Sequence, residues 1–376
     1  KSLAKEISKL AKKLKINPKI ASIEGDDLTD KIDELNSKGE NFKHLDKPVK
    51  LLENKYRPLS ANVYLGCWGI VEALKDGADI VITGRVADTS LTMGPAAYHF
   101  KWKKNDWNKL SGAAIAGHII ECGGQATGGN YSNFEEIPSF KNIGFPIAEI
   151  FNNGESIITK NENTGGIVNV GTITSQLLYE IDSPEYITPD VISHFNSINI
   201  KQISKNQVKV SNPLGSPPTK YSKVTINCNG GYKNSMTFLI VGLDIIKKTE
   251  ILKECIIDSF NGIEFNKICF QFFPTHKENP NSNEEAMARL HVTVSDPDIE
   301  KAGKFFNSKI VETALTNVPG ICWAHTPSKA KEKIIHFPTL INKKFVKQKI
   351  TIDKKIKYIN EILYDTEIKK INTGII

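Results

Sequence analysis

The sequence predicts an α/β protein, with a mostly parallel sheet in an N-terminal domain and a ferredoxin-like α+β second domain. Three observations carry that prediction. Strand-like and helix-like segments alternate between residues 19 and 122, the rhythm that lays helices against a parallel sheet. ADIVITG, residues 78–84, is apolar without interruption, as expected of a strand covered on both faces. After residue 222 the order becomes ββαββαβ, which suggests a split β-α-β sandwich.

Taken in order, residues 1–15, KSLAKEISKLAKKLK, put Leu3, Ile7, Leu10 and Leu14 at helical spacing. There is no apolar run followed by small residues, so this is not a signal peptide. The chain opens inside an element and without methionine, and we expect a preceding segment. KIASIEGDD (19–27) reads as a strand ending in acids, and LSANVYLG (59–66) as a second strand. CWGIVEALKDG (67–77) reads as a helix with Gly77 at its C′ position. Another helix is predicted over 106–122, centred on SGAAIAGHII.

From 132 to 222 the pattern loosens, with a strand at 156–160 and a helix at 172–181. SNPLGSPPTK (211–220) is rich in turn formers and marks the predicted domain boundary. Beyond it come a strand at 222–229, a tight NGG turn, a strand at 235–242 and a helix at 245–260. Strands at 266–272 and 287–295, a helix at 297–316 and a strand at 320–325 complete the pattern. The expected domains are therefore 1–215, α/β with the candidate substrate site; 216–345, ferredoxin-like; and 346–376, a C-terminal extension.

The 24% charged and 40% hydrophobic content is that of a globular chain. No apolar run reaches the roughly 20 residues that cross a bilayer. The net charge of +7 comes from lysines interleaved with acids. With no arginine stripe, RNA-binding aromatic signature or finger-like Cys/His spacing, we expect no nucleic-acid and no membrane partner. Cys67, Cys122, Cys228, Cys255, Cys269 and Cys322 are scattered, as reduced thiols of a cytoplasmic protein would be.

Arg57, Arg85 and Arg289 are the only arginines among 49 basic residues. A chain so biased to lysine keeps arginine where a planar, five-donor fork is needed. Arg85 follows ITG at a strand's carboxyl end, where open parallel sheets bind ligands. Asp26, Asp27, Asp88, Thr89 and Ser90 fall at the same predicted rim. In the functional reading Arg85 grips an anionic group, while Asp88 or Asp26 supplies acid–base or metal-ligand chemistry. In the structural one Arg85 pairs with Asp88, and Thr89 or Ser90 caps the next helix.

His118, Glu121 and Cys122 fall at i, i+3 and i+4 on one helix face. They could ligate a metal or, without one, let His118 or Glu121 move a proton. In GGQATGG (123–129), Gly123 is a helix stop, and Gly124, Gln125 and Thr127 could bring backbone amides to a ligand. NTGG (163–166) is a second such turn. His291 and His325 read as structural residues of the second domain's strands.

GADIVITGRVADTSLTMGP with AGHIIECGGQATGG resembles the acyclic terpene utilisation family. So do IEGDDL, ANVYLG, NIGFPIAEI, TGGIV and QLLYEIDSPEYITPDV, spanning about residues 19 to 345. The resemblance implies an α/β domain with a ferredoxin-like part behind it, and further residues, including a Gly-rich first strand, ahead of residue 1. It also implies breakdown of citronellol- and geraniol-type acids through their coenzyme A thioesters. It carries over no catalytic residue.

The expectation that results is a catabolic enzyme, of hydratase or lyase type, acting on a carboxylic acid or acyl-CoA thioester. Asp88, Glu121 and His118 would be catalytic; Arg85, Asp26, Asp27, Thr89, Ser90, Gly124, Gln125 and Thr127 would bind substrate. Coenzyme A would enter as part of the substrate, and the metal is left open. The alternative is a non-catalytic acyl-ligand-binding or scaffolding subunit of a catabolic complex. The expected partners are a small-molecule substrate and either a second copy or a small partner subunit.

Overall fold

The computed structural model describes residues 2–53, 57–316, 318–353 and 355–361. The first stretch runs α1 (Ser2–Lys13), β1 (Ile20–Glu24), α2 (Ile32–Ser37), β2 (Pro58–Val63), α3 (Trp68–Lys75) and β3 (Ile80–Thr83). Next come α4 (Ser90–His99), α5 (Trp107–Ile120), β4 (Pro146–Ile150), β5 (Ser156–Lys160) and α6 (Val170–Leu177). Five short strands follow: β6 (Glu185–Ile187), β7 (Ile192–His194), β8 (Asn199–Ser204), β9 (Gln207–Ser211) and β10 (Leu214–Ser216). The long β11 (Tyr221–Val241) leads to α7 (Ile245–Ser259), β12 (Lys267–Phe273) and β13 (Met287–Asp296). A π-turn, Lys301–Phe305, then opens α8 (Phe306–Leu315). The chain ends with β14 (Ile321–Trp323), β15 (Lys331–Asn342), β16 (Lys347–Ile352) and β17 (Lys355–Asn360).

Helices and strands are mixed along the chain, as an α/β reading requires. The chain divides into two compact units: the described parts of Lys1–Lys55, Ser60–Ile226 and Phe337–Ile376, and those of Tyr56–Leu59 with Asn227–His336. The tract 211–220 lies inside the first unit, where β10 pairs antiparallel with β7. Of the expected extension 346–376, β16 and β17 join a sheet of the first unit. Residues 362–376 lie outside the described residues.

That sheet has the order β17-β16-β1-β3 and is mixed, not mostly parallel. Only β1–β3 pairs parallel; β1–β16 and β16–β17 are antiparallel. β3 is its edge strand and all four residues are half-buried. Its unbroken apolar run therefore does not mark burial on both faces. The first unit also holds the sheets β4-β5-β9-β8 and β10-β7-β6.

Helix α5 is the centre of this unit. Leu110 to Ile119 are buried without a break, the mark of a helix covered all round. Its small residues allow that approach. A Cβ on Gly112 would lie 1.8 Å from the Gly154 carbonyl oxygen, and one on Gly117 would lie 3.1 Å from Thr89 Cα. Leu110, Ala113 and Ala114 pack with Trp68 and Met93, while Ile115 and Ile119 pack with Ile158, Ile173 and Val208.

In the second unit the strand order is β12-β13-β11-β14, with antiparallel neighbours. α7 lies in sequence between the first and second of these strands, and α8 between the third and fourth. Phe238, Leu252, Leu290 and Phe306 are among its core residues. The expected NGG turn is absent: β11 runs unbroken through 229–231. Asn229 Oδ1 accepts the Gly231 amide at 2.8 Å, and Gly231 takes φ 82° within the strand. The glycines here relieve a close approach, since a Cβ on Gly230 would meet Ile335 Cγ1 at 2.7 Å.

Candidate functional site

The carboxyl ends of β1, β2 and β3 are tied together by Asp26. Its Oδ2 accepts the Arg85 amide at 2.8 Å and Asn62 Nδ2 at 2.9 Å. Gly84 is required there, because a Cβ would lie 1.9 Å from Asp26 Oδ1. Asp27 closes its own turn: Oδ1 accepts the Thr29 hydroxyl at 2.6 Å and amide at 3.0 Å. Those bonds to the Thr29 hydroxyl and then the amide hold its carboxyl below the usual range.

Arg85 is exposed, and its guanidinium stands 5.4 Å from the centroid of the Tyr64 ring. Among the described residues it makes no ion pair with Asp88. Thr89 and Ser90 are fully buried; Thr89 stands at the N-cap position of α4 but makes no side-chain capping bond, and neither hydroxyl has a hydrogen-bond partner among the described residues. Asp88 is exposed and lines two recesses. One, of about 310 Å³, is bounded also by Tyr64, Glu180, Tyr186, Ser222 and Lys223. The other, of about 420 Å³, is bounded also by Asn62 and Arg85.

Behind Tyr186 lies the histidine of α5. His118 is 1% exposed, and its ring centroid is 5.2 Å from that of Tyr186 and 5.5 Å from that of Phe195. Its Nδ1 is 3.2 Å from Glu121 Oε1. That approach is not a hydrogen bond, and neither ring nitrogen has a hydrogen-bond partner among the described residues. Burial, then the charges of Glu121, Asp88 and Glu180, push the Tyr186 phenol well above its ordinary range. Burial first, and then Glu121, raise the Cys122 thiol too. His118 packs against this tyrosine, and Asp88 lines the same cavity. No set of three His, Cys, Asp or Glu residues is grouped to hold a metal ion, among the described residues.

The glycine turns are close-packed against each other. Thr127 is buried, and its hydroxyl donates to the carbonyls of Gly124 at 3.1 Å and Gly144 at 2.7 Å. A Cβ on Gly124 would meet Ile143 Cγ2 at 2.9 Å, and one on Gly166 would meet the Thr127 carbonyl oxygen at 2.4 Å. Gln125 sits in the 3₁₀ turn Gly123–Gln125 and lines neither recess.

Sequence reasoning missed Glu180, Tyr186, Tyr64 and Lys223, although the first two stand in the quoted stretch QLLYEIDSPEYITPDV. It also missed a buried ionic cluster behind Pro189. Asp190 is fully buried; its Oδ2 accepts the Cys67 amide at 2.7 Å, at the start of α3. Glu361 Oε1 accepts Gln348 Nε2 at 2.7 Å and the Gly66 amide at 3.2 Å. Lys343, also fully buried, donates from Nζ to the Pro189 carbonyl. Burial and then Asp190 push the Glu361 carboxyl up to about 7; burial likewise raises Asp190 and lowers Lys343. Cys67, Asp190 and Lys343 are more than 100 residues apart in turn, and no motif surrounds Lys343, Gln348 or Glu361, so no local pattern announces the cluster.

Compared with known families, residues 1–352 match the one described as acyclic terpene utilisation family protein AtuA. No curated protein and no solved structure matches the chain. No helix is long and apolar enough to cross a membrane, among the described residues.

Proposed function

The chain belongs to the acyclic terpene utilisation family, and from that premise we propose a catabolic enzyme of hydratase or lyase type. Its substrate would be a carboxylic acid or acyl-CoA thioester held in the Tyr186 recess. One observation carries the reading: the His118–Glu121 pair lies directly behind a tyrosine that lines a cavity edged by Asp88 and Glu180.

The chemistry follows from the burial. A phenol whose ionisation is opposed by burial and nearby carboxylates keeps its proton at neutral pH. Tyr186 can then donate a hydrogen bond to a leaving hydroxyl or developing enolate oxygen. Asp88 or Glu180, at the cavity edge, accepts the proton removed from carbon. Glu121 stands beside His118, whose ring packs against that of Tyr186 and holds it in place. The second unit, with its interleaved strand order, supports the ferredoxin-like expectation and would be the part that meets a partner subunit.

The test is turnover by the full-length protein on acyclic terpenoid acids and their coenzyme A thioesters, with Tyr186→Phe and His118→Gln beside it. Loss of about 10²-fold or more in kcat, with KM little changed, is expected of each. Both variants turning over like the parent would overturn the proton-transfer assignment. If the parent is inert alone and gains activity only with a stoichiometric partner, the binding-subunit alternative replaces it.

A further inference from the structure

The wall of the recess opposite in chemistry to its acids is made of tyrosines, each attended by a cation. Arg85 Cζ lies 5.4 Å and Lys223 Nζ 5.8 Å from the Tyr64 ring centroid; Lys220 Nζ lies 5.6 Å from that of Tyr221. Tyr64, Tyr221 and Lys223 all line the cavity. None of the three cations forms an ion pair among the described residues, although acids line the same cavity. The backbone fixes the arrangement, since the Tyr64 amide donates to the Lys223 carbonyl at 2.9 Å. The Tyr64 hydroxyl lies 3.4 Å from Thr225 Oγ1.

Two cations gathered on one aromatic ring repel each other until an anion sits between them. The pair asks for an anionic occupant.

We propose that Lys223 and Arg85, gathered on the Tyr64 ring beside the cavity, form a subsite for an oxyanion headgroup, carboxylate or phosphate. This deepens the catalytic reading and rests on it for the orientation of the substrate. The anionic head would sit at Tyr64, leaving the apolar or reacting part toward Tyr186. Lys223 becomes the specificity-determining residue, since it lines the same cavity as Tyr186 whereas Arg85 lines the adjoining recess.

The experiment titrates the full-length protein calorimetrically with octanoate, octyl phosphate and the neutral octanamide. One of the two anions should bind saturably and more tightly than octanamide, and the preferred one identifies the headgroup. Lys223→Met and Arg85→Met should each weaken it by about tenfold or more, the loss of one charge-assisted contact. Added salt should weaken binding to the parent in the same direction, a readout that needs no variant. Equal binding of octanoate, octyl phosphate and octanamide, no binding of any, or anion binding indifferent to Lys223→Met overturns the subsite. His118→Gln should leave anion binding intact. If that variant loses turnover while the anions fail to bind, the subsite falls and the proton-transfer reading stands; the reverse outcome separates them the other way.

Discussion

Glu361→Gln should stabilise the protein above neutrality and leave it nearly unchanged in mild acid. The Glu361 carboxyl is buried beside Asp190 and titrates near 7, not at the usual 4.5. A difference of that size is worth about 3 kcal/mol, at about 1.4 kcal/mol per unit. Between pH 4.5 and about 7 the folded protein holds a proton that the unfolded chain has released. Stability from this group is therefore complete below 4.5, declines as pH rises through 7, and is flat above. Asp190, raised by its own burial, acts with the same sign. Lys343, lowered by burial, acts with the opposite sign and only toward alkaline pH. Glutamine keeps the acceptor oxygen that Gly66 and Gln348 address and removes the titration. Urea unfolding followed by tryptophan fluorescence suits the first unit, which contains Trp68, Trp102 and Trp107. The variant and the parent should differ little at pH 4 and separate by up to about 3 kcal/mol by pH 8. Parallel profiles across that range would refute the idea that this carboxyl is protonated in the folded protein.

Three further substitutions probe the same first unit. Gly66→Ala would place a methyl 2.2 Å from Asp190 Oδ1; the carboxylate cannot retreat without releasing the Cys67 amide, so a loss of about 3 kcal/mol is expected in urea unfolding. Thr127→Val removes the hydroxyl from the Gly124 and Gly144 carbonyls and should cost about 1–2 kcal/mol by the same measurement, with no change in octanoate binding. Arg85→Lys keeps the charge but not the fork; turnover on the identified substrate should fall about tenfold or more, and full activity would exclude a bidentate grip.

What could be read from the sequence was whatever a single element sets by its own spacing. The i, i+3 relation of His118 and Glu121 is a property of one helix, and the structure places their side chains 3.2 Å apart. Asp26, Arg85 and Asp88 were placed together because strand ends in one sheet share a rim. Their roles were not equally visible. Asp26 is engaged by a backbone amide and Asn62, a fact that depends on residues 36 and 59 positions away. The same limit explains NGG: glycine serves a turn or a close neighbour equally well, and Ile335, more than 100 residues later, decides for the neighbour. It explains β3 as well, since an apolar run says how much surface can be buried and not which strand ends at the sheet's edge. Tyr186 and Lys223 lie at the far end of this scale. Tyrosine and lysine are common on any surface, and only a cavity that assembles residues 64, 88, 186 and 223 gives them a shared purpose. A site whose chemistry is carried by rare residue types can thus be found from one strand of text, whereas one completed by ordinary residues becomes visible only when the fold has closed around them.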